Sequence, residues 1–175
     1  MSPLQRFALA LALVASGLYA GMLTLTLMGD IPAIQIMSLP AYVAYWQALN
    51  QYMHIRMQIF GPFPTLLLLF ALVCFARQWR RPIFSILIVC LIFNVIDGLL
   101  TATQQVPINM QIDTLSLGHL DLVIVQHLRD ATVHHFYMRG AFSISAFILL
   151  AFASIFSTGI GKSGEQISSA TAPAL

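Results

Sequence analysis

Residues 82–103 read PIFSILIVCLIFNVIDGLLTAT, and this stretch decides the fold. It is long enough to cross a hydrocarbon layer about 30 Å thick, which takes roughly 20 apolar residues in a helix. Pro82 suits the first turn, where the N–H it lacks is not needed. A single acid, Asp97, sits within the run. A charge at that depth is costly unless it is paired, protonated or held in a wet cavity. At helical spacing Cys90, Asn94, Asp97 and Thr101 share one face, so this helix must turn a polar stripe toward other protein. The stripe is either a substrate or proton site, or a set of bonds to neighbouring helices.

Three similar runs lie outward from it, at 7–28, 57–76 and 140–158. The first, FALALALVASGLYAGMLTLTLM, is too long for the apolar part of a cleavable signal, which spans about 7 to 15 residues, and reads as a retained helix. Gly17 and Gly21 within it form a GxxxG pair beside Ser16 and Ala20, a face smooth enough for close helix contact. Gly61-Pro62-Phe63-Pro64 should kink the second crossing, since each proline removes a backbone donor. Overall 59% of the residues are hydrophobic and 8% charged, against about 25% charged in a soluble domain. Such a chain cannot cover itself with polar surface. A formal charge of +2 also leaves no basic footprint for nucleic acid. Cys74 and Cys90 lie inside apolar segments, where a thiol acts as a small hydrophobe.

The sequence therefore predicts an all-α, four-transmembrane-helix bundle forming one domain over residues 1–158, with a disordered cytoplasmic tail at 159–175. The mixed segments, Ile31 to Arg56 and Gln104 to Met138, should form an extracytoplasmic helical cap. Tyr42, Tyr45, Trp46 and Tyr52 favour the headgroup level there. Arg77, Arg80 and Arg81 share a very short loop, where the positive-inside rule counts most, so both termini are expected on the cytoplasmic side of a bacterial membrane. All five histidines then fall on the outer side.

His127, Asp130, His134 and Tyr137 follow spacings of three, four and three, and so share a helix face. His127, Asp130 and His134, with His54 from another segment, can be read as ligands to a transition metal. The same helix can equally be an interfacial one whose charges are solvated, or a source of unliganded acid and base groups. No histidine lies inside a crossing, so haem could reach only the outer boundary. The motifs of serine hydrolases, P-loops and dinucleotide sites are missing.

Val106-Pro107-Ile108-Asn109 resembles the Val-Pro-Leu-Asn signature of the anthrone oxygenase-like membrane family. A glycine-bearing first helix, Met37 with Pro40, and His134 or His135 with Arg139 ahead of the last helix agree with it. Where the family often has tryptophan before the His and Arg, Thr132 and Val133 stand here. The resemblance implies oxygenation of a lipophilic aromatic carbon, with His134 or His135 as base, Asn109 and Arg139 holding the oxyanion, Asp97 nearby, and either no cofactor or a transition metal. Two other readings stay open: an accessory or scaffold subunit of a larger membrane complex or homo-oligomer, and a metal or haem protein. The lipid bilayer is the expected partner in all three.

Overall fold

The computed structural model describes residues 1–159. The rest of the expected tail lies outside them. Among the described residues there are helices and no strands, and four helices, Pro3–Ile36, Leu39–Gln78, Pro82–Asp113 and Leu122–Phe156, are long and apolar enough to cross a membrane. The protein is an all-α four-helix membrane bundle.

Each helix is longer than the roughly 20 residues a crossing needs. The extra length explains the cap. The first helix runs as α1 (Pro3–Leu25), a π turn (Thr26–Asp30) and α2 (Ile31–Ile36). The second is α3 (Leu39–Phe60) followed, past a turn at Gly61-Pro62, by α4 (Phe63–Phe75). The third is α5 (Pro82–Leu100), a second π turn (Thr101–Gln105) and α6 (Val106–Asp113); the fourth is α7 (Leu122–Gly159). The cap is thus made of the crossings' own ends. Pro32 does not break its helix, because it sits in the first turn of α2; the break falls at Met37-Ser38.

Polar groups fix the ends. Ser2 and Gln5 form a reciprocal capping box at the start of α1, and Gln5 Nε2 also donates to the Cys74 carbonyl. Asp121 accepts from the Val123 and Ile124 amides where α7 begins. Arg129 donates to the Ile34 and Met37 carbonyls, which have no helical partner at the end of α2. This side chain closes a neighbouring helix and is not simply solvated.

Two apolar cores are stacked along the bundle. One joins Ala12, Leu68, Leu87, Cys90, Ala146 and Leu150 in the crossings. The other joins Ile31, Tyr42, Trp46, Ile112 and Val125 in the cap. Outward, Leu18, Leu25 and Val73 are more than two-thirds exposed and form part of the lipid-facing surface. The smooth face of α1 is used within the chain: a Cβ on Gly17 would lie 3.0 Å from the Phe147 ring of α7. Nearer the cap, a Cβ on Gly140 would come within 2.4 Å of Leu27 Cδ1. Gly17 thus lets α1 pack closely on α7 and Gly140 leaves room for the Leu27 side chain of the π turn, while Gly21 of the expected pair stays open, with nothing within 4 Å.

Gly140→Leu should therefore cost about 1–3 kcal/mol through overpacking, while Gly21→Ala should be neutral or slightly stabilising. Chemical unfolding in detergent micelles measures both. Equal losses at the two positions would show that room for Leu27 is not what Gly140 provides.

Candidate functional site

Between the two cores lies the polar centre of the molecule. Tyr19, Asp97 and Arg139 stand on α1, α5 and α7, each seven residues, or about two turns, from Ala12, Cys90 and Ala146 in the crossing core. The carboxylate and guanidinium form an ion pair, with Arg139 Nε 2.8 Å from Asp97 Oδ1 and both side chains about 95% buried. Tyr19 closes the triangle. Its hydroxyl donates to Asp97 Oδ2 at 2.6 Å and accepts from Arg139 Nη2 at 2.9 Å. The Arg139 guanidinium also lies over the Phe136 ring, 5.3 Å from its centroid. Asp97 is therefore paired and doubly hydrogen-bonded, which is what lets a carboxylate sit at this depth.

The triangle forms part of the wall of a cavity of about 620 Å³, within the range that holds a small organic ligand. Met22, Met53, Met57, Val95 and Phe136 give the wall its apolar character, and Asn94, His54 and Asn109 add polar groups. Both π turns contribute: Thr26 and Asp30 from one, Thr101 and Gln105 from the other. In each turn the amide just before a proline, Ile31 or Val106, bonds five residues back to Thr26 or Thr101. The next N–H is missing because Pro32 or Pro107 follows. A widened turn of this kind often marks a functional site. The cause is a repeated string, Thr-x-x-x-(Asp/Gln)-(Ile/Val)-Pro, at 26–32 and at 101–107.

Asn109 ties the cap together. Its Oδ1 accepts from Trp46 Nε1 at 3.0 Å and from Gln105 Nε2 at 2.8 Å, joining α3 to α6. Gln47 reinforces that join through the Ile112 and Leu115 carbonyls, and Asn50 through Asp113.

Among the residues expected to carry chemistry, Asp97, Asn109 and Arg139 all line this cavity. Arg139 is pinned by Asp97 and Tyr19, so its first task is to neutralise a buried acid. His134 and His135 do not occur among the lining residues. Their rings meet edge-on with centroids 5.7 Å apart, His134 exposed and His135 partly buried with Nδ1 lacking a partner. The metal-ligand set is not brought together. The face of α7 carrying His127, Asp130, His134 and Tyr137 is exposed throughout. Asp130 accepts from the Gln126 amide through both oxygens, and His54 is bonded to Gln58 on α3. No group of three or more His, Cys, Asp or Glu among the described residues could hold a metal ion. Helical spacing put these residues on one face of α7, but that face points away from the bundle.

Sequence reasoning missed Tyr19 and the π turns. The available signals were a tyrosine seven residues beyond Ala12 in an otherwise apolar run and the string that occurs twice. No known protein family, curated protein or solved structure matches the chain.

Removing either partner of the ion pair should cost about 3–5 kcal/mol by leaving the other buried and unpaired. Asp97→Leu or Arg139→Met alone should therefore destabilise strongly, and the double variant should lose less than the sum. Unfolding in detergent of all three measures the coupling; strict additivity would mean that the pair contributes no more than two separate contacts.

Proposed function

We propose that this chain is a membrane enzyme of the anthrone oxygenase-like type, acting on a lipophilic aromatic ketone that reaches the cavity from the bilayer. One observation supports the reading: a mainly apolar cavity of about 620 Å³ with the Tyr19–Asp97–Arg139 triangle in its wall. Apolar walls suit the ring system, and a fixed cation suits an oxygen on which charge develops. Two N–H groups of Arg139 are used by Asp97 and Tyr19, and a guanidinium has five.

His54 is the imidazole in the cavity wall, and it replaces His134 and His135 as the proposed base. An imidazole suits proton abstraction near neutral pH. It takes a proton from the activated methylene, and the resulting carbanion adds to dioxygen. The peroxide regains the proton, and loss of water breaks the O–O bond to leave a ketone. Two hydrogens of the methylene are thereby exchanged for one oxygen atom, with the second leaving as water. In this reading the Arg77–Arg81 loop faces the cytoplasm of a bacterial cell and the cap faces outward.

Oxygen uptake and anthraquinone formation from anthrone, with purified protein in lipid nanodiscs, test the proposal. Wild type should turn over, His54→Ala should lose about a hundredfold or more, and a His134→Ala/His135→Ala double variant should keep its rate. Absence of turnover by wild type would sink the oxygenase reading. A fully active His54→Ala would remove His54 as the base.

A further inference from the structure

The lipid-facing stripe of the third helix runs into the cavity. Ile88, Ile92, Val95 and Leu99 follow one another on α5 at steps of three and four residues, and all are exposed. Val95 and Leu99 also line the cavity, as do the exposed Gly98, Ala102 and Val106. The first helix differs. Its cavity residues, Tyr19, Met22, Leu23, Thr26 and Asp30, are buried or half-buried, while its exposed Leu18 and Leu25 are not among the lining residues. The cavity is therefore open along α5 and closed along α1.

On the other side of the opening stands the end of α3. His54, Gln58 and Pro62, at four-residue steps, are exposed and line the same cavity, the first two joined by a hydrogen bond of 3.0 Å. Toward the cap, α3 is held to α6 by Trp46 on Asn109 and Asn50 on Asp113. Toward the arginine loop, α4 packs on α5. Between these two closures α3 and α5 do not pack closely. The parting begins at Gly61-Pro62, where the second helix is interrupted and a Cβ on Gly61 would meet the Met57 carbonyl oxygen at 2.7 Å. What is left is a mouth with a polar edge on α3 and an apolar edge on α5. At the rise of a helix, Val95 to Val106 spans about 16 Å, close to one leaflet of a hydrocarbon layer about 30 Å thick.

We propose that this cavity is a lipid site, entered sideways between α3 and α5 by the acyl chain of a phospholipid whose headgroup stays at the membrane surface. The mouth is continuous with the lipid-facing surface of α5, has the height of one chain, and is bordered by side chains that a chain can touch. Gly98 keeps it open: a Cβ there would meet nothing within 4 Å. A lipophilic substrate shares this entrance and must displace the chain. The inference rests on the cavity being a ligand site, as in the preceding reading, but not on the reaction performed there.

The test uses the full chain in lipid nanodiscs with Trp79→Phe, which leaves Trp46 as the sole tryptophan of the two. Trp46 is 1% exposed and stands behind the cavity wall, bonded to Asn109 and edge-on to the Phe136 ring, so a quencher must enter the cavity to come close to it. Nanodiscs of phosphatidylcholine with dibrominated acyl chains should quench its emission relative to ordinary phosphatidylcholine. Gly98→Leu, which puts a side chain into the mouth, should abolish that quenching; Gly21→Leu, at a glycine of α1 equally free of neighbours, should keep it. Should Gly98→Leu lose the fold, Ala102→Leu, one turn further along the same edge, is read instead with the same loss expected. Free anthraquinone in ordinary nanodiscs, corrected for partition into empty ones, tests the cavity as a ligand site. Quenching by anthraquinone but not by the brominated chains overturns the proposal and leaves the preceding reading standing, as does chain quenching that survives in the mouth variants or is lost equally in Gly21→Leu. Quenching by neither overturns both.

Discussion

The bundle is organised around one buried ion pair. In a medium that offers no water, a lone carboxylate inside a crossing is among the most costly groups a helix can carry. Asp97 is tolerated because Arg139 and Tyr19 meet it from two other helices. That requirement sets the axial register of α1, α5 and α7 together: a slip of one turn in any of them would leave a charge or a hydroxyl facing apolar side chains. The dry core then packs two turns to one side, and the cap packs to the other.

Close approach of the helices is the second constraint. Gly17 brings α1 against α7, and Gly140 leaves room for Leu27 of the π turn that follows, which allows a short tyrosine-to-arginine reach across the bundle. Small residues on the first helix therefore have an internal partner, Phe147 among them.

Much of the fold was legible in the sequence, because length and apolarity alone constrain a crossing helix. Asp97 announced a polar centre for the same reason: an acid in a 22-residue apolar run must have a partner. That Arg139 is this partner was not legible, since the two lie on different helices, and the spacing of either alone says nothing about rotation relative to the other. The histidines of α7 misled for a related reason. Periodicity correctly put His127, Asp130 and His134 on one face, but which face turns inward is set by packing, and here Val125, Leu128 and Thr132 are the buried side. Pro32 and Pro107 each sit in the first turn of a helix just after a π turn, whose widened ring lets the preceding amide find a carbonyl five residues back.

The cap has no linkers of its own to three of its four walls: the rods that cross the bilayer run on into it, apart from a single turn at Gly61-Pro62 on the second. A rod that tilts at one end moves at the other. Thickening or thinning of the surrounding bilayer changes the tilt of crossing helices, and here the change is carried by leverage to the walls of the cavity. The lipid around this protein is thus mechanically coupled to the volume it encloses.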